Sequence, residues 1–245
     1  MPKTIEHESR KRAVLAAVIN KHIKDAMPVA SEDLANEFGL SSATIRNIFK
    51  ELEENGYLKH PYTSGGKIPT NKGYRYYVDF LLAQMGLMDD EKERIGKELK
   101  MAVKKLEDIL ETTTVLLSTV TRYASIASFL DANETFYYKG LSFILEQPEF
   151  HDSGRIRLLI KTIEDKQLLL NIVNRDFKEK VKVYIGDELE CPEIEDCSLA
   201  VSSYSVRKKP SGRIAILGPK RMEYTHIIPA LDYMSDILTD TLDDI

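Results

Sequence analysis

The sequence predicts an α+β protein whose helical first third leads into a long helical stretch and then a small mixed sheet. Three observations predict this. Apolar residues recur at helical spacing from Val14 to Leu52, turn signals cluster over 56–66, and four runs beyond residue 135 have the composition of strands. With 12 Gly and 9 Pro among 245 residues, the chain is poor in helix breakers, which tilts the balance toward helix.

The first helix is expected over 9–26, where Val14, Leu15, Val18, Ile19 and Ile23 form one stripe, and Pro28 ends it. Ser31 reads as the N-cap of a short second helix. Glu32 and Asp33 lie in its first turn, where the helix dipole favours acids, and Gly39 closes it. Ser41 or Ser42 caps a third helix running to about Asn55, with Ile45, Ile48, Phe49 and Leu52 on its apolar face. Gly56 stands where a left-handed C-terminal residue is wanted. Residues 57–60 and 67–69 flank a Gly-rich loop and read as a hairpin. Thr70 can cap a fourth helix whose apolar positions include Tyr74, Tyr77, Val78, Leu81 and Leu82. Tyr74, Tyr76 and Tyr77 could form an aromatic platform for bases, but at helical spacing they read as core.

Three helices with a tight turn before the third, followed by a hairpin, make a winged helix-turn-helix. Roles follow from the stripe. If Ile45, Phe49 and Leu52 face the core, then Thr44, Arg46, Asn47 and Lys50 lie on the opposite side or its flank. The amino-terminal end of such a helix enters the major groove. There Ser41, Ser42 and Thr44 can meet base edges or phosphates, and Arg46 can bond guanine through two donors. The hairpin offers Tyr62, Thr63, Ser64 and Lys67 to the adjacent backbone, and Gly65 and Gly66 let the loop approach closely.

Charge supports a nucleic-acid partner only locally. The chain carries a net charge of −5, yet residues 1–80 hold twelve Lys and Arg against ten Asp and Glu. Within 41–77 the count is six against three, and a phosphate backbone feels that local sign. No apolar run has the length of a membrane span, and no signal-peptide pattern opens the chain, so a cytoplasmic protein is expected. Two cysteines, Cys191 and Cys197, make no disulfide framework and have no nearby histidine, so neither a metal nor another cofactor is expected. No catalytic constellation is visible, and an enzyme is not expected.

From Asp89 onward the chain turns acidic and strongly helical. Ile95, Leu99, Ala102, Leu106, Leu110, Thr113, Leu117, Val120, Ala124 and Ala127 repeat at near-heptad spacing. One continuous helix over 90–129 would be roughly 60 Å long. Two readings stand: two helices packed on the carboxyl-terminal domain, or a seam of Leu99, Leu106, Leu110, Leu117 and Val120 that pairs with a second chain. Beyond it, strands are expected at 136–139, 180–185, 197–204 and 213–217. Helices are expected at 153–174, broken near Asp165, and at 223–241. This gives a DNA-binding domain over 1–85, a helical linker over 86–130 that could dimerise, and an α+β domain over 131–245. The run Gly218-Pro219-Lys220-Arg221-Met222 lies between a strand and a helix start. It reads as a structural turn or contact surface before it reads as an anion site.

The residues also carry a family resemblance. Pro28-Val29-Ala30-Ser31, Ser41-Ser42-Ala43-Thr44-Ile45-Arg46-Asn47 and Leu52-Glu53-Glu54-Asn55-Gly56-Tyr57-Leu58 resemble the amino-terminal domain of HrcA, a family of bacterial heat-inducible transcription repressors. So do Pro61-Tyr62-Thr63-Ser64-Gly65-Gly66-Lys67-Ile68-Pro69-Thr70 and the run from Lys72 to Asp79. Leu145-Glu146-Gln147-Pro148-Glu149-Phe150, Val183-Tyr184-Ile185-Gly186 and the run from Gly218 to Tyr224 are similar to the family's later motifs. Full-length members are longer, with a GAF-like domain and an inserted dimerisation domain. Here the similar text stops near Ala127 and resumes near Tyr137, so the insertion and part of the GAF-like domain are missing. The resemblance implies a homodimeric repressor that binds an inverted-repeat operator of the CIRCE type, represses chaperone genes, and is assisted by the GroE chaperonin. It also implies that the α+β domain is a reduced GAF-like sheet. The alternative is a winged-helix regulator whose α+β domain binds a small metabolite.

Overall fold

The computed structural model describes residues 2–61, 66–82, 89–101, 106–130, 136–207 and 209–243. The chain forms two compact units, Met1–Phe80 and Leu81–Ile245.

The first unit contains α1 (Pro2–Asp25), α2 (Ser31–Phe38), α3 (Ser42–Glu54), the short strands β1 (Leu58–Lys59) and β2 (Ile68–Pro69), and α4 (Asn71–Leu81). The expected stripes meet in one core: Val14, Leu15, Val18 and Ile19 of α1, Leu34 of α2, and Ile45, Ile48, Phe49 and Leu52 of α3 are buried. Tyr74 and Tyr77 are buried as well, and the Tyr77 hydroxyl donates to the Asn20 side chain, so these rings are core. α1 stops at Asp25, and Ala26 takes a left-handed conformation, φ 53°, before Pro28. The cap of α2 differs by one residue from expectation. Ala30 is the N-cap, and its backbone N–H donates to the Asp33 carboxylate at 2.9 Å. Ser31 is the first helical residue and is buried. Gly39 ends α2 at φ 61°, which a residue with a Cβ adopts only under strain.

The second unit is a five-stranded antiparallel sheet with helices on both faces. Its helices are α5 (Asp89–Met101), α6 (Leu106–Thr121), α7 (Leu141–Leu145), α8 (Ser153–Glu164), α9 (Lys166–Val173) and α10 (Tyr224–Asp243). The strands are β3 (Ala124–Phe129), β4 (Phe136–Lys139), β5 (Val181–Ile185), β6 (Cys197–Val206) and β7 (Lys209–Pro219), in the order β4-β3-β7-β6-β5. Side chains alternate across the sheet. Ala124, Ile126, Leu199, Val201, Ala215 and Leu217 join Leu159, Ile163, Leu169 and Ile172 of α8 and α9 in one apolar cluster. On the other face the Ser125 hydroxyl reaches the Thr114 carbonyl of α6, and α10 lies along β6 and α6. Asp165 both ends α8 and caps α9, its carboxylate accepting the Leu168 N–H at 3.0 Å, which is the break expected there.

One continuous helix over 90–129 is not formed; of the two readings, that of two helices packed on the carboxyl-terminal domain describes α5 and α6, which lie against α10. α6 ends at Thr121, Arg122 turns the chain at φ 60°, and Ala124–Phe129 is a strand with neighbours on both edges. Residues 123–129 carry no charge and are almost wholly buried, as a strand covered on both faces requires. Their small residues continued the helical periodicity by chance. Among the described residues the sheet therefore has five strands where four were expected. The stretch 86–130 is not a separate linker: α5, α6 and β3 belong to the second unit.

Candidate nucleic-acid interface

α3 is built as a two-sided helix. Ser41 is its N-cap, accepting the Thr44 N–H at 3.1 Å and pairing with the Thr44 hydroxyl at 2.9 Å. Because Ile45, Ile48, Phe49 and Leu52 are buried, Ala43, Arg46, Asn47 and Lys50 are left exposed. Ser41 is exposed too, while Ser42 and Thr44 are half-buried. A polar face opposite a packed stripe, beginning at an open helix N-terminus, is the geometry that reads a groove. Tyr62, Thr63 and Ser64 of the expected loop lie outside the described residues.

Each cation expected on this surface meets a carboxylate. Arg46 lies 3.6 Å from Glu32 of α2, and Lys50 lies 3.9 Å from Glu54 one turn on. Both pairs are well exposed, so neither adds much stability and either can open toward a phosphate. Lys67 is different. It is only 7% exposed, and its Nζ bonds the Glu53 carboxylate and lies 2.9 Å from His60 Nδ1. His60 Nδ1 is in turn 2.8 Å from the other Glu53 oxygen. Lys67 first, then His60, holds the Glu53 carboxyl below its ordinary pKa. The expectation of a solvent-facing cation at Lys67 differs from this placement because a backbone bridge to Val29 holds Lys67 where its side chain reaches inward to Glu53 in the last turn of α3. Gly66 likewise approaches the protein itself: a Cβ there would lie 2.8 Å from Pro28 Cβ. These residues line an open cleft of about 600 Å³ between α2, α3 and the hairpin.

The sequence reading assigned Glu32 only to the first turn of α2 and gave Glu53, Glu54 and His60 no part in the site. The four-residue spacing of Lys50 and Glu54 was a usable signal. The Glu53–Lys67 pair, fourteen residues apart, required the hairpin's geometry.

The expected dimer seam is not available as a seam. Leu110 and Leu117 are fully buried within their own chain, where α6 lies against α10, β3 and β4, and Val120 is half-buried. The side chains of Leu99 and Leu106 lie outside the described ones. The turn at Gly218 is structural. Arg221 donates to Glu149 at 2.6 Å and to Gln147 at 2.8 Å, and Lys220 faces Asp196 at 3.7 Å. Cys191 and Cys197 are buried free thiols, and among the described residues no group of His, Cys, Asp and Glu could hold a metal ion. No helix among them is long and apolar enough to cross a membrane.

An exposed polar helix face beside a hairpin, in a chain with a separate α+β unit, is the arrangement of a winged-helix DNA-binding regulator. Residues 7–78 match the model of the winged helix-turn-helix transcription repressor HrcA DNA-binding domain, and residues 125–228 match the HrcA protein C-terminal domain. Together the two models cover more than two thirds of the chain, in the family's own order, and the chain belongs to the HrcA family of transcription repressors. The heat-inducible transcription repressor HrcA of Pelotomaculum thermopropionicum is 26% identical, with 96% of this chain and 97% of the relative covered. That of Desulforamulus reducens is 27% identical with the same coverage. The first alignment runs over 337 positions against the 245 residues here, so at least 92 positions are filled by the relative alone. Among solved structures, a crystal structure of a hypothetical protein shares the fold at a TM-score of 0.79 and 19% identity, covering 96% of this chain and 98% of that one.

Proposed function

We propose that this repressor acts as a cytoplasmic homodimer on an inverted-repeat operator of the CIRCE type upstream of chaperone genes, with the GroE chaperonin assisting its active state. The observation that carries the DNA-binding part is the outward face of α3, where Ser41, Arg46, Asn47 and Lys50 are exposed together above a packed stripe. Ser42 and Thr44 flank it, and the hairpin residues Tyr62, Thr63 and Ser64 complete the proposed contact surface. The names of the relatives support heat-inducible repression. A dimer follows from size: a single small module buries roughly 600–1,000 Å² of protein surface, which is too little to select one site in a genome. Two-fold symmetry in the protein then matches two-fold symmetry in the operator.

The test is a titration of the full chain against a duplex carrying the CIRCE inverted repeat, the same duplex with one half-site scrambled, and a fully scrambled duplex. Each is run at two salt concentrations. Two chains per intact repeat and a marked loss on scrambling one half-site are expected. Equal affinity for all three duplexes would remove the operator assignment. Added chaperonin should raise the fraction of chain competent to bind.

A further inference from the structure

Glu53 stands in the last turn of α3, where the helix dipole disfavours an acid and where no basic residue of the helix accompanies it. Its partners come instead from the hairpin. His60 follows β1, and Lys67 precedes β2 and is nearly without solvent contact. The backbone of Lys67 is also fixed: its N–H donates to the Val29 carbonyl and its carbonyl accepts the Val29 N–H, each at 2.9 Å. Gly66 sits against Pro28 with no room for a side chain. The root of the wing thus has two attachments, a backbone bridge to the α1–α2 connection and a charged side-chain ring to α3.

We propose that Glu53 is a positioning residue for the wing, and that Lys67 serves DNA recognition through this anchor and not by touching a phosphate. The proposal rests on the reading of α3 and the hairpin as the DNA surface. A buried ammonium needs its counter-charge. Without Glu53 the lysine must leave for solvent, and the start of β2 must move with it. His60 closes the ring in either tautomer, donating to Glu53 or accepting from Lys67. A surface lysine kept for phosphates would behave otherwise, because releasing it from a glutamate would strengthen binding to any duplex.

The experiment uses the full chain with Glu53→Gln, Lys67→Met, and both together. The probes are the CIRCE repeat duplex and a scrambled duplex of equal length, across a salt series. Each single variant is expected to lose about tenfold in operator affinity, the lower end of what one lost base contact costs. The double variant should lose no more than either single, since both break one ring. Affinity for scrambled DNA and the salt slope should hold. The slope falling by about one unit in Lys67→Met, with both duplexes weakened alike, would show a direct phosphate contact and overturn the proposal. Tighter binding by Glu53→Gln would overturn it too, as would additive losses. The reversed pair, Glu53→Lys with Lys67→Glu, guards against simple misfolding: the anchor predicts recovery of operator preference over either reversed single variant, and no recovery counts against it. Arg46→Ala separates the two levels. Parent chain without operator preference overturns the DNA surface and the anchor with it, whereas a normal parent and a weakened Arg46→Ala beside unaffected Glu53 and Lys67 variants overturn the anchor alone.

Discussion

Helices α3 and α6 look alike as sequence and end differently in the molecule. Both carry apolar residues at three- and four-residue spacing. In α3 the stripe Ile45, Ile48, Phe49 and Leu52 is covered and the opposite face is open to solvent. In α6, Ile109, Leu110, Leu116 and Leu117 are buried, and so are Thr113, Thr114, Ser118 and Thr121. Those hydroxyls need no external partner. Thr113 donates to the Ile109 carbonyl and Thr121 to the Leu117 carbonyl, at 2.7 and 2.6 Å, so their faces can be covered at little cost. A charged residue has no such option, which is why Arg46 and Lys50 stay outside. A stripe says that a face is covered; it does not say whether the cover comes from the same chain.

The largest expected effect breaks the comparison from the α6 side. Leu110→Asp would put an unpaired carboxylate between α6, α10 and the sheet, at a cost of about 4 kcal/mol or more. The second unit should unfold in place, read by rapid labelling of Cys191 and Cys197, which are buried in the parent. A variant that stayed folded with silent thiols but sedimented as a monomer would restore the intermolecular seam.

Arg46→Ala is the opposite case. Its side chain is about two thirds exposed, so melting should hardly change, while operator binding should weaken by about 1–3 kcal/mol if the guanidinium reads a base. A gel shift indistinguishable from the parent would take Arg46 out of the interface.

What was legible in the sequence divides along the same line. The first unit was readable almost residue by residue, because its stripes, caps and turn glycines are local signals: Ser41, Gly39 and Gly56 stand where the local chemistry places them. The strands from β4 onward and helices α8, α9 and α10 were also legible, whereas the short α7 was not. β3 was not, since Ala124, Ser125, Ala127 and Ser128 are small enough to fit either period and only the sheet decides between them. Of the candidate site, α3 was legible and the charge pairing was not. Glu53, His60 and Lys67 lie on different elements, and a residue's sign does not reveal which opposite charge will reach it.

A third prediction sharpens the contrast through pH. Cys197 is fully buried among apolar residues of the second unit, and burial raises its thiol pKa far above the ordinary 9.0. The folded chain therefore keeps a proton that the unfolded chain releases. The stability this gives is complete below about pH 9 and is lost as pH rises, by up to about 1.4 kcal/mol per pH unit. Denaturant melts from pH 8 to pH 10 should show the second unit weakening, and Cys197→Ala should flatten that slope. An equal slope in the variant would assign it to other groups.

The smallest effect tests the opening of α3, where the proposed reading gives one atom two tasks. The Ser41 hydroxyl caps the helix through the Thr44 N–H, and in that reading it also meets DNA. Ser41→Ala should cost the first unit about 1 kcal/mol by orphaning that donor. It should also weaken operator binding, and a loss of binding alone cannot say which task failed. Ser41→Asp separates them. Aspartate is as good a cap as serine and suits the positive end of the helix dipole, so the melt should return to the parent value or above it. The same carboxylate would face phosphates across a short gap, so operator affinity should fall below that of Ser41→Ala, and most steeply at low salt. Recovery of both stability and binding in Ser41→Asp would mean that the N-terminus of α3 does not face the duplex, and the contact surface would have to be sought further along the helix, around Asn47 and Lys50.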